Sequence, residues 1–163
     1  MPIFMKSDDV KGEVTATGHL EEIELNSFQF GVGIGVSSPT AGGGKRTTSA
    51  ASISEITVSK QLDNASGLIF DKLCAGTALP TVSILFTRAS GKDKAGNDAY
   101  LTIELEDVLF SGWSISSGGD IPSESVSLNF TKIKMSYMKG DAEAGLTQGT
   151  IAGWDLAKNE AAA

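Results

Sequence analysis

The chain is poor in the residue types that carry most protein chemistry. It has one cysteine, Cys74, so an intrachain disulfide framework and a cysteine zinc cluster are both excluded. It has one histidine, His19, which rules out a multi-histidine metal site and leaves no alternative histidine for a serine-type triad. Proline is scarce at 4 residues, so the 19 glycines do not make a collagen-like chain. Positive charge is also short: 13 Lys and Arg against 20 Asp and Glu leave a formal net charge of -7. That sign opposes binding to nucleic acid or to an anionic membrane surface. No apolar run approaches the length that spans a bilayer, so no membrane insertion is expected. Acid arrives at Asp8-Asp9 before any apolar stretch of signal length. The expectation is a chain made in the cytoplasm without a Sec signal peptide, exported only by a route that reads no amino-terminal signal.

What remains is an ordinary domain. Hydrophobic residues make up 40% and charged residues 20% of 163 residues, which excludes global disorder. One domain over 1–163 is expected, with no second toxin domain at its end. At this size roughly two thirds of the unfolded surface can be hidden.

Alternation with period 2 dominates. Apolar positions are odd in Ile23-Glu24-Leu25, then even through Phe28, Phe30, Val32, Ile34 and Val36, with the switch at Asn26-Ser27. The run Leu101, Ile103, Leu105 changes phase to Val108 and Phe110. The run Val126, Leu128, Phe130 changes to Ile133, Met135, Tyr137 at Thr131-Lys132. A one-residue switch turns the side chains to the other sheet face unless a bulge restores them. Three long strands with internal switches predict bent strands that serve two walls, as in a barrel or an orthogonal sandwich. Further strands are expected at 53–60 and 80–88, with hairpin loops at Gly91–Asp98 and Ser114–Pro122.

The spacing predicts one helix over 66–75. Ser66 is the candidate N-cap, Ala65, Ile69 and Leu73 share a face with Leu68 beside them, and Gly76 follows as the C-terminal stop. A helix this short must pack on the sheet. Residues 37–52 and the tail 141–163 do not read as strands. The first is a long Gly-rich loop, a length that is usually functional or disordered. The tail carries Trp154, which is expected to pack on the body or on a neighbour. In Gly31-Val32-Gly33-Ile34-Gly35-Val36 glycine takes every second position. Either a sharp barrel corner or a close subunit contact accounts for it.

No catalytic constellation emerges. His19 beside Glu21-Glu22 fits a general base, but a loop or strand-edge histidine is the simpler reading. Cys74 reads as a small buried hydrophobe. Glu104 and Glu106 alternate onto one polar face, a solvated strand face rather than an acid–base pair. Gly42-Gly43-Gly44-Lys45-Arg46 fails the phosphate-loop pattern, because Arg46 stands where a hydroxyl is needed. Asp8-Asp9 and Glu21-Glu22 lack calcium-loop spacing. No cofactor or metal is expected.

An ordered set of stretches resembles a known family across nearly the whole chain. The stretches are Asp8-Asp9-Val10-Lys11-Gly12-Glu13, Glu22-Ile23-Glu24-Leu25, and Phe28-Gln29-Phe30-Gly31 before the Gly-rich loop. Ser59-Lys60-Gln61-Leu62-Asp63-Asn64-Ala65-Ser66 and Glu106-Asp107-Val108-Leu109 come next. The run from Glu124 to Ile133 and a closing Gly153-Trp154-Asp155 complete the set. The set is similar to the Hcp (hemolysin-coregulated protein) family of type VI secretion systems. Two departures stand out: Gly67 and Phe30, where relatives often have Pro and Trp.

The resemblance implies a mainly β fold, a small two-sheet β-barrel of bent antiparallel strands with one flanking α-helix. It implies homohexameric rings that stack into a tube, carry or chaperone type VI effectors in the lumen, and meet sheath and spike proteins. It also implies secretion by the type VI route and no enzymatic activity. By position, 37–52 is the arm that reaches a neighbouring subunit or ring, with Ser38, Pro39, Gly42, Gly43, Gly44, Lys45 and Arg46 as its contact residues. Ser114, Ser116, Ser117 and Gly118 match a lumen-facing loop and are the candidate cargo contacts. A phage tail-tube-like subunit is the nearest alternative, and a small β-barrel binding protein or enzyme a more distant one.

Overall fold

The computed structural model describes residues 1–38, 46–89, 97–141 and 145–162. In chain order the elements are β1 Ile3–Lys6, β2 Ile23–Leu25, β3 Ser27–Gln29, β4 Val32–Val36, β5 Thr48–Ile53 and β6 Ile56–Gln61. Helix α1 is Ala65–Ala75. β7 Leu79–Ala89, β8 Asn97–Ser116, β9 Ser123–Asn129, β10 Lys132–Asp141, β11 Gly145–Asp155 and β12 Glu160–Ala161 follow.

Two antiparallel layers share one strand. The first runs β12-β11-β10-β8-β7-β1-β2 and the second runs β8-β9-β6-β3. β8 pairs with β7 and β10 through its first part, and with β9 from Leu109 onward. The turn between layers falls at Asp107, whose φ is 51°. This is where the alternation changes phase, so the switch marks the passage from one sheet to the other. The same holds at Asn26, between β2 and β3, and at Thr131, between β9 and β10. The predicted two-wall architecture is present, although the sheets do not form a closed barrel among the described residues.

The core lies between the layers. Ile84, Ile103 and Leu105 from the first sheet meet Ile56, Val58, Val126 and Leu128 from the second, all at or near zero exposure. Helix α1 closes one side with Ala65 and Ile69. Its C-terminus is as predicted: Gly76 has φ 61°, and its N–H reaches back to the Leu73 carbonyl. Its N-terminus differs. The cap position is Asn64, without a side-chain bond, and Ser66 lies inside the first turn. Asp63 Oδ1 takes the Ala65 N–H instead, at 2.9 Å. Cys74 is exposed rather than buried, because the inward face of the helix is spent on Ala65, Ile69 and Leu73.

Two stretches read as non-strand are strands. Thr48–Ile53 pairs with Val32–Val36 as a separate two-stranded ribbon. The tail forms β11 along β10, and half-buried Trp154 packs onto the core of its own chain. Both are rich in Gly, Ala, Ser and Thr, which blur the apolar–polar contrast, yet their backbones still pair in ladders.

Candidate assembly and cargo surfaces

The ribbon is the first surface. Gly31 accepts a hydrogen bond from the Ser54 N–H at 2.9 Å, so β4 and β5 prolong the β3–β6 end of the second sheet. Pairing continues outward to Ser37 and Thr47. Every residue of β4 is exposed, Val32 at 60% and Ile34 at 52%. A Cβ built on Gly33 would meet nothing within 4 Å. At Gly35, by contrast, it would lie 2.9 Å from Ser49 Oγ, so that glycine serves the close pairing of β4 with β5; β4 belongs to the projecting ribbon rather than to either of the two walls. Of the predicted arm residues, Ser38 and Arg46 are exposed on the ribbon. Pro39, Gly42, Gly43, Gly44 and Lys45 lie outside the described residues.

The second surface is the outer face of the second sheet. Register places Ser27, Ser59, Ser125 and Ser114 in one row across β3, β6, β9 and β8. Gln29, Thr57, Ser127 and Gly112 make the next row. Gln61, Ser123 and Ser116 make a third. Directly paired residues share a face, so these rows form one uncharged, hydroxyl-lined surface in a chain that is 20% charged. Ser114 and Ser116, predicted from their loop, belong to this face as strand residues. Ser117 and Gly118 are exposed in the turn beyond it, where the Ser117 hydroxyl donates to the Asp120 carbonyl. The rest of the face was open to the period-2 reading, because Ser59, Ser125 and Ser127 alternate with apolar residues.

The first sheet presents the opposite chemistry. Lys132 pairs with Glu106 at 3.0 Å and Lys134 with Glu104 at 3.4 Å, each directly across the β10–β8 ladder. The two glutamates are thus charge-matched surface residues, as alternation indicated.

The remaining candidates are structural. His19 is buried, stacks on Phe4 at 4.4 Å between ring centroids, and holds Glu22 Oε2 at 2.7 Å through Nδ1. It pins the 7–22 loop over β1. Lys60 and Glu124, which sequence reasoning passed over, form a buried pair beneath the hydroxyl face at 2.8 Å. Both sit at the inward phase of otherwise apolar alternation, a signal present in the sequence. Among the described residues no cluster of His, Cys, Asp or Glu could hold a metal ion. Among the same residues no helix is long and apolar enough to cross a membrane.

These features describe a small two-sheet β protein whose distinctive parts are surfaces rather than a reactive cleft. A family model described as the type VI secretion system effector Hcp matches residues 4–137. The chain belongs to the Hcp family, tube-forming proteins of the type VI secretion system. It is 28% identical to protein hcp1 of Pseudomonas aeruginosa over 162 residues, 96% of each chain. Among solved structures it resembles a type six secretion system protein with a TM-score of 0.88, at 24% identity and 99% coverage of both chains. Hcp1 from Salmonella typhimurium follows with a TM-score of 0.76 and 25% identity, covering 99% of this chain and 98% of that one. The cap of the anti-feeding prophage tube shares the fold at a TM-score of 0.55 and 10% identity, over 83% of this chain and 87% of that one.

Proposed function

We propose that this chain is the subunit of a type VI inner tube: six copies close into a ring, rings stack, and the hydroxyl face lines the lumen that carries effectors. The observation that carries the reading is the uncharged outer face of the second sheet, four strands wide. A chain of net charge -7 that leaves three successive rows of one sheet face uncharged, with Glu55 only at their edge, has reserved that surface. Short hydroxyl side chains donate and accept hydrogen bonds at low rotamer cost. Such a wall accommodates folded cargo of varied shape without demanding a charge partner.

The exposed valines and isoleucine of the ribbon support assembly. Apolar side chains on a projecting two-stranded element gain free energy only when another surface covers them. The charged face of the first sheet then turns outward, toward sheath protein, and secretion follows the tube. The test is to purify the chain with a cognate effector and measure particle mass and retained cargo. A hollow ring of about six chain masses that keeps its cargo supports the reading. A monomer that binds no effector contradicts it.

A further inference from the structure

The hydroxyl face ends in a single charge. Beyond the row of Gln29, Thr57, Ser127 and Gly112 the register runs on to one more row, in which Asn129 pairs with Leu109. Thr57 faces outward, so Glu55, two residues earlier, projects from the same side. The side chains agree with that placement: Asn129 Nδ2 donates to Glu55 Oε1 at 3.2 Å, across the β6–β9 pair. On the β3 side, Gly31 takes the N–H of neighbouring Ser54 and brings no side chain to the row. Glu55 is therefore the one charged residue on a face otherwise made of Ser, Thr, Gln, Asn, Gly and Leu. It is exposed and has no ion-pair partner among the described residues.

Position and symmetry give this residue its effect. Glu55 stands at the end of the face where the ribbon leaves the β3–β6 pair, whereas the other end finishes in uncharged Gln61, Ser123 and Ser116. In a closed ring each copy contributes the same carboxylate at the same height of the lumen. Rings of like charge are how pores select ions, since a concave wall focuses the field of its charges. The field fades over about 8 Å at physiological salt, so it acts on cargo that passes against the wall. Asn129 holds Oε1 on the sheet and leaves Oε2 for an incoming ammonium or guanidinium group.

We propose that Glu55 sets the charge class of the cargo: its copies form an acidic collar at the ribbon end of the lumen, which admits protein surfaces rich in Lys and Arg and turns acidic ones away. The proposal rests on the tube reading, with the hydroxyl face toward the lumen. Selection falls at one mouth, and the neutral rows beyond it let the cargo pass without being held by ion pairs.

The test uses rings of the full-length chain and two fluorescent peptides, hexa-arginine and hexa-glutamate, with binding read by anisotropy across a salt series. Parent rings should bind hexa-arginine and not hexa-glutamate. Glu55→Gln should weaken hexa-arginine binding about tenfold or more at low salt, and the gap should close at high salt, where exposed charges are screened. Gln keeps an oxygen for the Asn129 amide and the position is exposed, so the fold is retained. Glu55→Lys should reverse the preference toward hexa-glutamate. Glu24→Gln removes the same charge from an exposed site on the first sheet and should change binding far less. Parent rings that bind neither peptide, or Glu55→Gln rings that differ no more from the parent than Glu24→Gln rings do, overturn the collar and leave the tube reading standing. Chains that never close into rings overturn the tube reading itself.

Discussion

Lys60 Nζ lies 2.8 Å from Glu124 Oε2, with neither side chain exposed to solvent. Three further contacts complete the lysine shell: Asp63 Oδ1 at 2.7 Å, the Gln61 carbonyl at 2.8 Å and Ser66 Oγ at 3.0 Å. The network ties β6, β9 and the start of α1 together beneath the hydroxyl face. Removing one member strands the others. Lys60→Met is expected to cost about 3–5 kcal/mol, since it leaves a buried carboxylate uncompensated. The double variant Lys60→Met with Glu124→Leu should recover part of that loss, since Asp63 still lacks its cation. Denaturant unfolding of the two proteins checks both values; a single variant as stable as the parent would remove the network from the account.

The tail offers a second check. Trp154 packs onto the core, yet its Nε1 is buried without a hydrogen-bond partner among the described residues. Trp154→Ala should cost about 3 kcal/mol through lost burial and the cavity left behind. Trp154→Phe should cost much less, because it keeps the ring and deletes a donor that pairs with nothing. Thermal unfolding of the pair separates packing from hydrogen bonding at this position.

Gly76 holds φ at 61° where α1 stops. An Ala there meets no steric neighbour within 4 Å, so its penalty is conformational alone. Gly76→Ala is expected to lower stability by about 1 kcal/mol. Urea titration reads this as a lower midpoint at unchanged slope.

The hydroxyl face should separate folding from carriage. Ser125 is half-buried and sits between Ser59 and Ser114 in the central row. Ser125→Asp at this solvent-facing position should change stability by only about 0.5 kcal/mol. It should still place six like charges around a closed ring and weaken cargo retention. Co-purification measures the second effect and unfolding the first. Equal cargo binding by parent and variant would take this face out of the lumen.

The architecture was legible wherever alternation was strong. The phase changes at Asn26, Asp107 and Thr131 each mark a crossing between sheets, because a strand that serves two walls must show its apolar side to both. Gly76 was legible because a left-handed stop favours glycine. The strands Thr48–Ile53 and Gly145–Asp155 were not, since backbone pairing holds them and their small side chains carry little pattern. Ser66 was misread as a cap because a serine before an apolar run looks the same whether it caps the helix or serves a buried lysine. Lys60 and Glu124 stood in plain alternation with Ile56, Val58, Val126 and Leu128. Their inward direction was readable, whereas their partnership across 64 residues required the register of β6 against β9.

The central claim is that identical copies enclose a channel. The most direct measurement is the mass and shape of the purified chain, by mass photometry with negative-stain imaging of the same sample. The account predicts hollow rings near six times the 16.9 kDa chain mass. A compact particle of one chain mass at every concentration, with no central hole, would contradict it.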